Sequence, residues 1–189
     1  MTANSDCPKR LDTRPKLHIR SASNAEFATL LDLQAASLRG IGHDRYTSAQ
    51  IESLVKGQQI ERDRRNEVIL LAEREGEIAG FVALDPHRPR LSGIYVRPAH
   101  ARQGIGTMLL DAAEASVRKR HSRVMVVLSS LTAVEFYRER GYRYIAETGF
   151  YSCDRVWIPC VRFRKSLILL NSFEQWWEDW MSPLVGELA

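Results

Sequence analysis

The sequence is poor in cysteine. Cys7, Cys153 and Cys160 are its only three among 189 residues, an odd number with no C-x-x-C or Cys/His ligand spacing, so neither a disulfide framework nor a zinc site is expected. A reducing, cytoplasmic setting follows as the expectation. Long apolar runs are missing too: nothing approaches the about 18 consecutive apolar residues of a membrane-spanning helix, and residues 1–16 hold no apolar core of the secretory kind. Neither sign of charge dominates, with 27 basic against 23 acidic residues and a net charge of +4. The pI of about 9.1 suits an anionic small molecule as readily as nucleic acid. Without a lysine-rich stripe or a stacking-aromatic motif, nucleic acid is not an expected partner. Internal repeats and low-complexity segments are absent as well.

What is present is ordinary globular material, 44% hydrophobic and 26% charged, in a length that suits one domain. Residues 1–16, polar and carrying Pro8 and Pro15, read as a flexible lead-in. Residues 17–167 hold the periodic segments and form the expected domain. Residues 168–189 form an extension in which Trp176, Trp177 and Trp180 share one face of a short helix. That face is read first as packing onto the domain, with an oligomer contact or a lid over the substrate as alternatives; monomer and homodimer both stay open.

Along the chain, Leu17–Arg20 reads as a strand, and Ser23-x-x-Glu26 as a capping box opening a helix with Phe27, Leu30, Leu31 and Leu38 on one face. Gly40 and Gly42 should end it. Thr47-x-x-Gln50 is a second capping box, leading into Ile51, Leu54 and Val55 with Gly57 as the stop. Val68–Leu71, a Glu75-Gly76 turn and an alternating face of Ile78, Gly80, Val82 and Leu84 predict a hairpin. A proline-marked loop precedes a strand at Leu91–Val96. Ile105, Met108, Leu109, Ala112, Ala113 and Val117 recur at helical spacing. Val124–Leu128 is a continuous apolar run, expected to be covered on both faces, so that strand, helix and strand imply a parallel pair. Thr132-x-x-Glu135 should cap another helix, closed by Gly141, before strands near Tyr142–Ala146 and Ile158–Arg164.

One heptapeptide calls for a chemical reason. HARQGIG, His100 to Gly106, joins a predicted strand to a predicted helix. Glycine permits unusual backbone dihedrals and lets a ligand approach without meeting a Cβ, and a helix start gathers free N–H groups at its positive end. The turn therefore reads as an anion cradle to which Arg102 adds a charge-assisted bond, or as a tight structural turn and no more. A phosphate-binding P-loop is excluded, because Thr107 and Met108 follow Gly106 where Lys and Ser or Thr are needed. A dinucleotide fingerprint is excluded because its third glycine position holds Leu109.

The run LSGIYVRPAHARQGIGTMLLDAAE, Leu91 to Glu114, resembles the acetyl-CoA-binding segment of the GNAT superfamily of N-acyltransferases. The likeness continues through SSLTAVEFYRERGYR to VRFRKSL, spanning residues 17–167. It implies a mixed α/β fold: a central twisted sheet flanked by helices, with two parallel strands, Leu91–Val96 and Val124–Leu128, splayed to admit the pantetheine arm. Backbone groups of Ile94, Tyr95 and Val96 are then expected to bond that arm, and Arg102, Gln103, Gly104, Ile105, Gly106 and Thr107 to hold the pyrophosphate. Ser130 takes the slot of a cofactor-contacting Asn in relatives, and Ala133 and Tyr137 line the thiol end. The family pattern places Arg or Gln where this sequence has Ala101, so Arg102 is displaced by one position.

Acyl transfer to an amine needs an unprotonated nucleophile, donors for the oxyanion and a proton for the departing thiolate. Tyr137 matches the family's usual general acid; its alternative is a packing tyrosine. Many relatives carry a carboxylate near the positions of Leu91 and Ser92, neither of which serves as a base. Asp85 and His87 remain as bases acting through water or as plain solvated residues, His100 and Glu135 as surface residues, and Arg138 and Arg140 as phosphate contacts or solvated charges. The resemblance implies acetyl transfer from acetyl-CoA to the primary amine of a small molecule, peptide or protein, by direct attack in a ternary complex. The alternative is a non-catalytic acyl-CoA-binding or sensory domain.

Overall fold

A computed structural model describes residues 17–41 and 44–168. Within them the order is β1 (Leu17–Ser21), α1 (Phe27–Ile41), α2 (Ser48–Arg65), β2 (Val68–Arg74), β3 (Glu77–Leu84), β4 (Arg90–Val96), α3 (Ile105–Lys119), β5 (Val124–Ser130), α4 (Val134–Glu139), β6 (Arg143–Tyr151) and β7 (Trp157–Ser166). The strands form one mixed sheet in the order β1-β2-β3-β4-β5-β7-β6. Only β4 and β5 run parallel, as the strand-helix-strand pattern predicts. The tryptophans of the C-terminal extension, Gly42 and residues 1–16 lie outside the described residues.

Helices cover both faces of the sheet. On one, Leu30 and Leu33 of α1 pack on Leu71, Phe81 and Ala83. On the other, Ile105, Leu109, Leu110, Ala113 and Val117 of α3 pack on Val82, Leu84, Leu91, Met125, Val127 and Phe163. Each fully buried aliphatic contributes about 1.5–3 kcal/mol relative to exposure, which is why the 3.6-residue stripe of α3 was readable. α2 closes a third cluster, in which Tyr46 and Ile51 meet Ile158 of β7.

Several local expectations are corrected. Gly57 does not stop α2, which runs on to Arg65; a Cβ there would stand 3.2 Å from the Cys153 sulfur, so the glycine serves close packing. The described part of α1 ends at Ile41, one residue past Gly40, where a Cβ would stand 2.7 Å from Pro98 Cγ. In α1 the buried leucines are Leu30 and Leu33, while Phe27, Leu31 and Leu38 are only partly covered. In α3, Met108 is 39% exposed and Leu110 is fully buried. β3 is buried on both faces from Ala79 to Leu84 instead of alternating. β5 alternates instead, because its second face opens where β4 diverges. Thr132 does not cap α4; Leu131–Ala133 form a 3-10 turn and Ala133 is the N-cap.

Candidate functional site

The site begins with a fork. β4 and β5 are in register only at Arg90–Val126 and Leu91–Val127, beyond which the strands part. The cause lies partly in β4, whose register against β3 shifts between the Leu84–Leu91 and Ala83–Gly93 pairs. Ser92 is thus the extra residue of a bulge, a device that bends a strand away from its neighbour. Arg97 N–H donates to Ala79 O of β3 at 2.9 Å. By the two-residue alternation of strand hydrogen bonds, Tyr95 shares that direction, whereas the main-chain groups of Ile94 and Val96 turn toward β5 and the fork. Their side chains pack against the α3 cluster, and the Tyr95 ring packs on Phe81 at 5.0 Å across the sheet.

At the open end of the fork lies the turn into α3. Arg102 has φ +61° and Gly104, the N-cap of α3, has φ +81°. Both lie in the left-handed region, where a side chain is strained and glycine is not. The first intrahelical bond is Met108 N to Gly104 O, 3.1 Å, so the amides of Ile105, Gly106 and Thr107 have no helical acceptor. No side chain among the described residues caps the helix start. At Gly106 the nearest atoms a Cβ would meet are those of the Phe136 ring at 3.7 Å and Val96 at 3.9 Å, ordinary contact distances. Packing among the described residues therefore does not forbid a side chain at that position.

The Gln103 side chain is engaged by the protein itself. Its amide group donates to Ala99 O at 3.2 Å and its carbonyl oxygen accepts a hydrogen bond from Arg74 Nη1. Arg74, at the end of β2, went unnoticed in the sequence because nothing local marks it. Glu77 braces the same corner, 3.3 Å from Arg97 and 3.4 Å from His100. Arg102 is exposed and makes no ion pair among the described residues. Arg138, by contrast, pairs with Glu135 at 3.1 Å, and Arg140 lies over the Phe136 ring at 6.0 Å.

Tyr137 sits in α4, 4% exposed, against Phe136, Tyr142 and Phe163. Burial, and secondarily the neighbouring Tyr95, hold its hydroxyl well above the usual phenol range, so it stays a proton donor. Its packing partner Tyr142 donates to Glu114 at 3.1 Å, a carboxylate that also receives Lys165 at 2.7 Å and Arg118 at 3.0 Å. These three donors make a buried acid tolerable in the apolar stripe of α3. Ser130 is exposed with its hydroxyl 3.0 Å from that of Thr132, and Ala133 precedes Tyr137 on the same short element.

Two further residues were not singled out in the sequence for roles here. Tyr46, between α1 and α2, donates to Pro159 O at 2.8 Å and accepts from Leu131 N at 2.9 Å, fastening that loop to the start of α4. Ser92, at the bulge beside the apex, has a buried hydroxyl with no hydrogen-bond partner among the described residues. Asp85 lies at the closed end of the fork, and its carboxylate is taken by the His87 and Arg88 amides at 2.9 and 3.0 Å. Burial would raise that carboxyl, but the two amides and Arg90 outweigh it and leave it below the ordinary range. An ionised, bonded carboxylate there makes a poor base.

The same architecture recurs in known proteins. A GCN5-related N-acetyltransferase from Rhodopseudomonas palustris superposes with a TM-score of 0.73 at 25% identity, over 80% of this chain and 95% of that one. The PaiA N-acetyltransferase of Thermoplasma acidophilum, solved with coenzyme A, gives 0.63 at 21% identity over 80% and 99%. The ribosomal-protein-S18-alanine N-acetyltransferase of Escherichia coli gives 0.60 at 15% over 83% and 97%. Likeness at those two lower identities speaks for the fold alone. No curated protein matches the sequence. The family model described as an acetyltransferase (GNAT) domain matches residues 35–167, which takes in the fork, the turn and the Tyr137 helix, and the chain therefore belongs to the GNAT acetyltransferase family.

Proposed function

We propose that residues 17–167 form an N-acetyltransferase that moves an acetyl group from acetyl-CoA to a primary amine by direct attack in a ternary complex. The observation that carries this reading is the conjunction of the two-pair fork with an amide-lined, glycine-permissive turn at its open end. The fit to acetyl-CoA is supported by Gly106, whose missing side chain the fold itself does not require, and by the unbonded first-turn amides. Bound acetyl-CoA supplies an acyl group activated as a thioester.

The chain's own residues would then act as follows. Ile94 and Val96 bond the pantetheine amides as a strand edge bonds an added strand. The amides of Arg102 to Thr107 hold the pyrophosphate, helped by the positive end of α3 and the Arg102 guanidinium. Tyr137 keeps a proton at its hydroxyl for the departing sulfur, which its buried position favours. The Ser92 hydroxyl, buried and unpartnered beside the apex, accepts a hydrogen bond from the incoming amine.

Calorimetry with coenzyme A and thiol release from acetyl-CoA across an amine panel test this reading. We expect micromolar binding, and a Tyr137→Phe variant that binds coenzyme A normally while losing about 10²- to 10⁴-fold in kcat. Unchanged turnover in that variant would remove Tyr137 from proton transfer. Binding without thiol release from any amine would favour acyl-CoA binding without catalysis.

A further inference from the structure

One face of the fork carries an aromatic ring seated on a glycine. A Cβ at Gly93 would stand 2.6 Å from Tyr95 Cε2 and 2.8 Å from the Tyr95 hydroxyl oxygen, closer than real Cβ contacts come. The free end of the Tyr95 ring therefore lies over Gly93, folded back along β4 toward the apex of the fork. Gly93 is the first β4 residue after the Ser92 bulge, and Leu91, before that bulge, makes the last pair with β5. Phe81 of β3 stands opposite Tyr95 in register with ring centroids 5.0 Å apart, inside the cluster that α1 covers. Tyr95 is nonetheless only partly buried.

That face is the one left to an acceptor. Ile105 at the start of α3 and Tyr137 both belong to the α3 cluster, so on the binding mode proposed above the acyl carrier takes that side and the amine enters from the other. Two side chains flank the apex there. Tyr95 stands on β4; on β5 stands Leu128, which alternates with Val127 of the α3 cluster and is 39% exposed. After burial, Tyr95 is the group that raises the Tyr137 hydroxyl, so the ring and the proton donor border the same gap. A stiff ring at the apex admits a slender group and collides with a substituent on the carbon that bears the amine, since packed protein interiors yield little to an extra methyl.

We propose that the Tyr95 ring selects acceptors whose amine is carried on an unbranched carbon, as in an alkylamine or a lysine side chain, and rejects amines branched at that carbon, as the α-amino groups of all amino acids but glycine are. The role belongs to the ring and is independent of what the hydroxyl bonds. It deepens the acetyltransferase reading and rests on it.

The test compares pentylamine with pentan-2-amine, and benzylamine with 1-phenylethylamine, pairs that differ by branching at the amine-bearing carbon. It reads thiol release from acetyl-CoA by the full chain and, by calorimetry, amine binding to its coenzyme A-loaded form. The unbranched member of at least one pair should be favoured by about tenfold or more, the usual worth of one ill-fitting carbon in a site. Tyr95→Phe should keep that ratio, whereas Tyr95→Ala and the milder Tyr95→Leu should collapse it by admitting the branched member while coenzyme A affinity holds. Gly93→Ala, whose Cβ must displace the ring, should change the ratio and should lose that effect in a Tyr95→Ala background. Equal, reversed or undetectable turnover and binding within both pairs would overturn the proposal. So would a ratio that survives Tyr95→Ala or Tyr95→Leu, or one lost in Tyr95→Phe. Where no amine turns over, the calorimetric comparison decides alone. A chain that fails to bind coenzyme A would instead overturn the acetyltransferase reading.

Discussion

Arg74 donates a hydrogen bond to the side-chain carbonyl of Gln103, 29 residues away, and through it braces the turn that leads into α3. The same glutamine donates to Ala99 O at 3.2 Å, so one side chain spans the corner between β2 and the turn into α3. Where the family pattern has Arg or Gln, this chain has Ala101, and the bracing arrives from a different strand. Arg74→Ala and Gln103→Ala should each weaken coenzyme A binding about 5- to 20-fold, the worth of about one hydrogen bond. kcat at saturating acetyl-CoA should move little. Calorimetry and a KM-against-kcat comparison check this; an unchanged affinity would make the brace incidental.

The two glycines of the turn should separate under substitution. Gly104 has φ +81°, so Gly104→Ala forces a side chain into the left-handed region and should cost about 1–2 kcal/mol of stability. Gly106→Ala adds a Cβ at ordinary contact distance, 3.7 Å from Phe136, and should leave urea denaturation unchanged. On the binding mode proposed above, in which the diphosphate lies on this turn, its effect should fall on coenzyme A affinity. Equal stability losses at both positions would contradict this division.

Gly40 and Pro98 should be coupled. Alanine normally favours a helix interior over glycine by about 1 kcal/mol, but a Cβ at Gly40 would stand 2.7 Å from Pro98 Cγ. Gly40→Ala should therefore destabilise by about 1–3 kcal/mol, the usual cost of overpacking. In a Pro98→Ala background the same change should become neutral or stabilising. A double-mutant cycle from denaturant midpoints gives the answer, and additive effects would rule out the contact.

Asp154 should make stability acid-sensitive. Its carboxylate accepts from the Cys153 thiol at 2.7 Å, Lys56 at 3.2 Å and Ser53 at 3.1 Å. These bonds hold it at about 2 against the opposing effect of burial. A carboxyl lowered in the folded state stabilises above its unfolded pKa of about 3.9, and that contribution is lost as pH falls toward the folded value. Tm measured from pH 5 to pH 2 should fall more steeply in the wild type than in Asp154→Asn. Parallel curves would mean the bonds add nothing.

Much of the fold was legible because its cues are local. The hairpin turn at Glu75-Gly76, the capping boxes at Ser23 and Thr47 and the stripe of α3 all depend on residues within a turn or two of each other. The turn into α3 was legible for the same reason, since a glycine pair at a strand-to-helix junction shapes its own backbone. Errors arose where a neighbour distant in sequence decided the outcome. Gly57 was read as a helix stop, yet it permits contact with a residue far along the chain, Cys153. The strand Val124–Leu128 was expected to be covered twice, but the divergence of β4 uncovers Leu128.

By itself, then, the sequence determined the element order and the amide-rich turn, because hydrogen bonding and side-chain periodicity within a segment dictate these; it was the resemblance to the GNAT superfamily that singled out Tyr137. Only the tertiary structure decided that β4 bulges at Ser92 and leaves β5 after two residue pairs, that Arg74 supports Gln103, and that Arg162 stands beside Leu128. Those relations follow from which strands become neighbours and in what register, a choice made by burial of the whole sheet between its helices and written in no single stretch of the chain.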